Sequence, residues 1–378
     1  MLKLSDYQIS EHTGFLPEKE IILADRSNEA WLALAERLPK ILLQGNFKQI
    51  VENLPDFKVN THRPDLWERD MRTLSYIGHA YMWGDKNVPT KLPANLATAW
   101  VATAQLLGRP PILSYPSYCL FNWQRVDTNK PPYLGNIEII QNFLGGADED
   151  WFILIHVDIE ARAAQALRVI PQLLEDSQNQ RLDAVVEGLK EVAEGLQAMN
   201  ATLNRMPEYC DPYIYYTRVR PYIFGTKNNP AMPNGLIYED CFDNQPQFYR
   251  GETGAQSGIV PTLDALLGIY HEDDPLKEYL LEMRQYMPVL HRKFVETIEQ
   301  ASTIKQTVRD NPNHQPLREA YVLCVNELYK FRAKHLEYAA SYIHKQALQA
   351  NNSNTIGTGG TPFMTYLAKH RDETVVSV

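Results

Sequence analysis

Apolar residues recur at three- and four-residue steps along most of the chain, which is the period of an amphipathic helix. The step is clear over residues 29–56, 69–83 and 95–107. After a stretch rich in Pro, Gly, Asn and Asp at 125–150 it returns in later segments, which are 151–174, 181–204, 259–270, 275–300 and 316–348. Alternation with period two is confined to short pieces such as "YIYYTRV" at 213–219. The pattern therefore predicts an all-α fold.

Residues that stop helices divide this pattern. The stretch at 125–150 predicts a small N-terminal helical domain over residues 1–128 and a large C-terminal helical domain over residues 129–378. Pro171 is expected to stop or kink the helix that begins at 151. Residues 206–258 are expected to be rich in loops, and residues 349–363 to form a polar, Gly-rich tail loop that moves.

Composition indicates a folded, soluble protein and excludes several partners. Of the 378 residues 44% are hydrophobic and 22% charged, close to globular averages. The net charge of -9, without a basic run, argues against nucleic acid or an anionic membrane as a partner. No apolar run approaches the ~20 residues of a membrane span, so we expect a cytoplasmic protein. The four cysteines lie far apart in the sequence, which predicts reduced and mostly buried thiols.

A histidine occupies the apolar stripe of the helix predicted near the C-terminus. Residues three or four apart share one helical face, namely Leu317, Tyr321, Cys324, Leu328, Phe331, His335, Tyr338 and Tyr342. His335 is therefore predicted to point inward. It is either a core histidine satisfied by a buried carbonyl or hydroxyl, or a metal ligand, since neutral imidazole is the commonest one.

A second histidine lies on the apolar face of the helix predicted from residue 151. His156 shares that face with Phe152, Ile159 and Ala163, and nearby alanines leave room beside it. A core role is again the simple interpretation. Two inward histidines on separate helices nevertheless favour a cavity in which chemistry takes place.

Most other chemistries lack their sequence motifs. HExxH is absent, and His156 with Glu160 forms only a single i,i+4 pair, which is too few ligands for a non-haem metal site. Neither a GxSxG elbow nor a GxGxxG or GxxxxGKS/T loop is present. A haem fits better, because one axial histidine on an apolar helix holds it. Arg332, one turn before His335, suits a haem propionate.

Several longer motifs are spread along nearly the whole chain. They are "AYMWG" at 80–84, "PPILSYPSYCLFNW" at 110–123, "ARAAQALRVIP" at 161–171, "YLLEMRQYMPVLHRKF" at 279–294, "FRAKHL" at 331–336 and "GTGGT" at 357–361. In these motifs the chain resembles the indoleamine 2,3-dioxygenase family, haem enzymes that open the indole ring of tryptophan. The resemblance implies haem b as the cofactor.

The same resemblance implies roles for individual residues. His335 corresponds to the proximal haem ligand, and Arg332 with Asp264 to residues that steady the haem and its propionate side. Substrate contacts are implied for Arg220, which matches an arginine that binds the substrate carboxylate, for Thr358 in the loop that closes over the amino acid, and for the aromatic wall positions Tyr115, Phe152 and Tyr215. His291 is interpreted as structural.

The chain departs from the family pattern at the predicted pocket. The usual "GGSAGQSS" is "GETGAQSG" at 251–258, which leaves Thr253 and Gly254 where small distal-pocket residues are expected. His156 stands where serine is usual and Tyr215 where phenylalanine is usual. The His156 imidazole has three open roles: it accepts a hydrogen bond from the indole N–H, contacts iron-bound oxygen, or ligates the iron. We favour the first role, because the related tryptophan 2,3-dioxygenases have a distal histidine.

The predicted activity is haem-dependent dioxygenation of L-tryptophan or a related indole at the C2=C3 bond, giving N-formylkynurenine, as in tryptophan catabolism through the kynurenine pathway. The implied partners are the indole, molecular oxygen and an electron donor for the iron, and the family's commonest members imply a monomer. One alternative is a monooxygenase of a substituted indole in a biosynthetic pathway. Others are a haem- or gas-binding protein without turnover and a helical scaffold without cofactor.

Overall fold

Helices dominate the computed structural model, which describes residues 2–19, 24–349 and 357–376. The helices are α1 (Glu29–Glu36), α2 (Leu38–Ile41), α3 (Phe47–Glu52), α4 (Pro64–Trp83), α5 (Ala94–Leu107), α6 (Ala147–Gln178), α7 (Leu182–Leu203), α8 (Pro212–Ile214), α9 (Ile259–Leu267), α10 (Pro275–Arg284), α11 (Val289–Ala301), α12 (Ile304–Asp310), α13 (Gln315–Ala339), α14 (Lys345–Gln349) and α15 (Phe363–Val376). Helix accounts for 62% of the chain and strand for 4%, which confirms the all-α prediction.

Four short strands form two small ribbons. Strands β1 (Lys91–Leu92) and β4 (Ile237–Tyr238) pair in parallel, with Lys91 opposite Ile237. Strands β2 (Trp123–Arg125) and β3 (Ile137–Ile139) pair antiparallel, with Trp123 opposite Ile139. Each ribbon contains only two strands, so the packing of helices carries the fold.

The long helices α6, α7 and α13 pack together. Small residues let α6 and α7 approach closely, because a Cβ atom added at Gly195 would lie 2.9 Å from the backbone nitrogen of Ala166. Helix α13 packs against α7, where the Cys324 thiol contacts the carbonyl of Leu189 at 3.0 Å. These contacts fix the helix face that carries His335.

Of the two outcomes expected at Pro171, a stop or a kink, the stop is wrong, because α6 runs through Pro171 to Gln178. Proline removes one backbone N–H, a local loss that packing on both sides outweighs. The flanking Ile170 and Leu173 are buried, and Leu173 packs over Gly188 of α7. The continuous helix keeps His156 in register with the rest of α6.

Other element boundaries also differ from the prediction. The segment 29–56 is broken into α1, α2 and α3, and 275–300 into α10 and α11, where Pro288 precedes the second helix. The piece 213–219 forms helical turns and no strand. Helices α12 and α15 were not predicted. Most of the tail loop predicted at 349–363 lies outside the described residues.

Three features bear on the broader expectations. Cys119, Cys210 and Cys324 are buried free thiols and Cys241 is half-buried, as expected. Within the described part of the chain, none of the helices has the length and apolar character that a membrane crossing requires. The domain division at residue 128 stays a prediction.

Two glycines allow two chain segments to cross in backbone contact. A Cβ atom on Gly225 would lie 2.2 Å from the nitrogen of Gly251, and one on Gly251 would lie 2.3 Å from the nitrogen of Gly225. Hydrogen bonds flank the crossing, from the Glu252 N–H to the Ile223 carbonyl at 3.0 Å and from the Thr226 N–H to the Tyr249 carbonyl at 2.9 Å. Only glycine fits at either position.

We expect Gly225→Ala to lower the free energy of unfolding by about 2–3 kcal/mol, because the added methyl group must push two backbones apart. Thermal and urea unfolding, followed by circular dichroism, measure the change. Gly254→Ala is the matched control, because a Cβ atom there meets nothing within 4 Å. Equal stability of the two variants would contradict the tight crossing.

Candidate active site

Two adjoining cavities lie between α6, α13, α15 and the loop over residues 250–258. Their volumes are about 250 and about 180 Å³. The residues that line both are His156, Leu203, Gly254, Ala255, Leu280, His335, Leu367 and His370. The cavities are therefore two halves of one space, here called the Arg332 half and the Tyr215 half after a residue that lines only one of them. Together they fall in the range of small-molecule pockets, which begins at about 300 Å³.

His335 faces this space from α13. The His335 side chain is accessible from the cavity, into which the imidazole projects, but it is enclosed by the protein. Arg332, one turn earlier on α13, is buried. Within the described residues neither ring nitrogen has a hydrogen-bond partner, so the interpretation as a satisfied core histidine is not supported. Burial and the neighbouring His156 lower the pKa of His335 to about 4. The neutral imidazole therefore offers a lone pair to the cavity.

His156 lines the same space from α6. Its Nδ1 lies 2.7 Å from the carbonyl oxygen of Phe152. Because a carbonyl only accepts, Nδ1 carries the proton and Nε2 of the neutral ring has the lone pair. Burial lowers the pKa of His156, which favours this neutral form. The ring is thus an acceptor with a fixed tautomer.

Arg332 is held at the edge of its half by a buried ion pair. Its guanidinium donates to Asp264 at 2.5 Å and to the Thr374 hydroxyl on α15 at 2.6 Å. Burial alone would raise the pKa of Asp264, but the charges and hydrogen bonds of Arg332 and His271 together outweigh burial and hold this pKa at about 2. The carboxylate is therefore ionised, and the pair ties α13 to α9.

Two further histidines adjoin this ion pair. His271 lies 3.4 Å from Asp264 and contacts the Glu373 carboxylate through Nδ1. His370 packs against His271 with ring centroids 4.5 Å apart and the ring planes tilted by 42°. The Nε2 atom of His370 is buried and has no partner in the part of the chain that the structure describes. His271 and His370 are thus further imidazoles on the cavity wall, which the sequence pattern did not single out.

Aromatic side chains line the Tyr215 half. Phe152 and Tyr215 have ring centroids 4.7 Å apart, and Tyr342 lies 5.8 Å from Tyr215. Thr358 also borders this half, and its hydroxyl donates to the Glu252 carbonyl at 2.6 Å. The aromatic wall suits a flat ring.

The remaining predicted residues also fall near this space, with one exception. Thr253 lines the Tyr215 half, Gly254 lines both halves and Tyr115 lines the Arg332 half. Arg220 lines neither half: it is buried, with its guanidinium 4.5 Å from the centre of the Phe224 ring. The carboxylate role of Arg220 stays a prediction.

A buried carboxyl beside the cavity was missed as a site residue. Glu160 is fully buried, and its Oε1 accepts hydrogen bonds from Tyr115 at 2.9 Å and from Ser257 at 2.7 Å. Burial raises its pKa to about 7. Its i,i+4 spacing from His156 was the available sequence signal, although it marks a network rather than a metal pair. Among the described residues, no group of three His, Cys, Asp or Glu side chains is placed to hold a metal ion.

Comparison with known sequences agrees with this geometry. The model of the family described as "IDO: Indoleamine 2,3-dioxygenase" matches residues 3–377. The chain belongs to the indoleamine 2,3-dioxygenase family. Indoleamine 2,3-dioxygenase 1 of Rattus norvegicus is 35% identical over 98% of this chain and 94% of its own.

Two other relatives span the chain similarly. Indoleamine 2,3-dioxygenase 2 of Homo sapiens is 30% identical over 100% of this chain and 96% of its own. The 6-hydroxytryptophan 2,3-dioxygenase of Fusarium equiseti is 27% identical over 100% of this chain and 98% of its own. The match of the family model over residues 3–377 includes every predicted site residue.

We expect Glu160→Gln to weaken the pH dependence of stability. The folded-state pKa of about 7 lies above the ordinary value of 4.5, so the unfolded state loses its proton first and stability falls as pH rises through this window. The loss above pH 7 is about 3 kcal/mol. Glutamine keeps an oxygen for both hydroxyls and does not ionise.

The measurement is the melting temperature between pH 5 and pH 8 for wild type, Glu160→Gln and the exposed control Glu187→Gln. The first substitution should reduce the fall in melting temperature and the control should not. Identical pH profiles for all three proteins would show that Glu160 titrates normally.

Proposed function

We propose that this protein is a haem-dependent dioxygenase that opens the indole C2=C3 bond of L-tryptophan or a related indole and releases N-formylkynurenine or its analogue. The observation that carries the proposal is His335, an imidazole without a hydrogen-bond partner among the described residues, on the wall of a cavity in a member of the indoleamine 2,3-dioxygenase family. The Fusarium equiseti relative is named for 6-hydroxytryptophan, which supports the inclusion of related indoles in the proposal.

The residues of the Arg332 half fit a haem b. His335 would ligate the iron through a neutral nitrogen, and Arg332, fixed by Asp264, would meet a propionate. The remaining wall is largely apolar and includes Ile159 and Val260. When bound, haem supplies the redox chemistry that incorporates molecular oxygen after reduction by an electron donor.

The Tyr215 half fits the substrate. Phe152 and Tyr215 would pack against the indole ring, while Nε2 of His156 accepts the indole N–H. Arg220 would bind the amino-acid carboxylate and Thr358 would close over the amino acid. Because Arg220 lines neither half of the cavity, its role requires the guanidinium to reorient toward the substrate. The protein then acts mainly by positioning the substrate and excluding water. The cytoplasmic location and monomeric state stay predictions.

We expect His335→Ala to lose haem while it keeps its helical content, because the imidazole contacts the cavity rather than the packed face of α13. The Soret absorbance after reconstitution with hemin, together with far-ultraviolet circular dichroism, measures both properties. His370→Ala and the exposed His62→Ala are matched controls that should retain haem.

A normal Soret band in His335→Ala would contradict the assigned ligand, and loss of haem in His370→Ala alone would move the ligand to α15. The absorbance spectrum of His156→Ala tests the alternative that the protein binds haem or a gas without turnover. If that substitution converts a low-spin ferric haem to high spin, both histidines ligate the iron in the resting state.

We expect Arg220→Ala to weaken L-tryptophan binding by about 2–5 kcal/mol, the usual loss for one desolvated, charge-assisted pair. Arg220→Lys should recover only part of it, because lysine lacks the planar fork that binds a carboxylate at two points. The exposed Arg218→Ala, two residues away, is the control. Calorimetric titration of each protein measures the dissociation constant. Unchanged binding in Arg220→Ala would remove Arg220 from the site.

A further inference from the structure

Glu252 is a buried carboxyl group on the wall of the Tyr215 half. Glu252 is only 2% exposed, and it lines this half together with Phe152 and Tyr215. The backbone N–H of Glu252 donates to the Ile223 carbonyl at 3.0 Å, and the Glu252 carbonyl accepts from the Thr358 hydroxyl at 2.6 Å. The carboxyl group has neither a hydrogen bond nor an ion pair within the described residues, and burial raises its pKa to about 8.

Other buried carboxyl groups near the cavity all have partners. Glu160 accepts two hydroxyl groups, and Glu149 accepts three backbone N–H groups at 2.6–3.0 Å. Asp264 is paired with Arg332. A buried carboxyl group without a partner is unfavourable, and a native structure retains one mainly where a ligand completes it. Glu252 differs from these three carboxyl groups in that neither of its oxygens has a partner among the described residues.

The surroundings of Glu252 indicate which part of a substrate it meets. Burial raises the pKa of the hydroxyl groups of Tyr115, Tyr118 and Tyr215, and the nearby charge of Glu252 raises it further. The Tyr118 hydroxyl is itself buried without a partner among the described residues. Glu252 lines the same half as Phe152, Tyr215 and Tyr342, which form the aromatic wall where a ring would pack.

We propose that Glu252 determines specificity by accepting a hydrogen bond from a hydroxyl group on the benzo ring of the substrate, so that the enzyme prefers ring-hydroxylated tryptophan to tryptophan. This inference rests on the proposed function. An unsubstituted indole has only its N–H to donate, and that group is matched by His156. Tryptophan would therefore cover Glu252 with an apolar edge, whereas a ring hydroxyl group supplies the missing donor.

The family motif quoted above supplies a matched variant, because it has glycine at the position of Glu252. Wild type, Glu252→Gly and Glu252→Gln are compared on L-tryptophan and on the isomers hydroxylated at each benzo-ring carbon. The readouts are kcat/KM for ring opening and the dissociation constant from calorimetry. Each is expressed as the ratio between hydroxylated tryptophan and L-tryptophan within one protein. This ratio measures the preference even if part of a variant is unfolded.

We expect wild type to prefer at least one hydroxylated isomer by about tenfold or more, since a site built for a hydroxyl group rejects the analogue that lacks it. Glu252→Gly should lose that preference, and Glu252→Gln, which keeps an acceptor oxygen, should retain part of it. Equal ratios in wild type and Glu252→Gly, with tryptophan opened normally, would overturn the inference and leave the proposed function intact.

Two other outcomes would also overturn the assignment. If Glu252→Gly weakens the binding of all the substrates by the same factor, Glu252 contacts the α-ammonium group and not the ring. If wild type neither binds nor opens any of these indoles, the proposed function fails and the role of Glu252 fails with it.

Discussion

The structure depends on an interior that its own side chains leave partly open between α6 and α13. Packed cores normally close such space, because each missing contact costs dispersion energy. Here the framework is supported around the opening rather than through it. The contact of α6 with α7 fixes one wall, and the Arg332–Asp264 ion pair ties α13 to α9 at another. The two inward imidazoles therefore keep their positions without filling the space between them.

The polar groups around the cavity differ in how completely the protein satisfies them. One oxygen of Asp264 accepts from Arg332, and one oxygen of Glu160 accepts from two hydroxyl groups. Both side chains are therefore part of the framework. His335 and Glu252 have none among the described residues and face the space where haem and substrate are proposed to bind. The same difference separates the side chains that build the site from those that would be completed by what enters it.

The sequence predicted the helical class and the inward direction of His335 and His156, because helical periodicity reports which face is buried. It misplaced Pro171, since a stretch of packed helix on both sides outweighs one lost hydrogen bond. It also missed the unpartnered state of Glu252, because whether a buried carboxyl group finds a donor depends on contacts between segments that are distant in sequence. The position of Arg220 outside both halves of the cavity has the same origin, because it follows from short helical turns that periodicity does not describe.

The crossing at Gly225 and Gly251 brings together two segments that carry proposed substrate contacts. One segment leads from Arg220 and the other continues into Glu252, and the two backbones touch with no side chain between them. Because backbone meets backbone there, the main chain alone sets the distance between the two segments. Drift of either position away from glycine would therefore move the pocket wall at Glu252, although neither glycine lines the cavity.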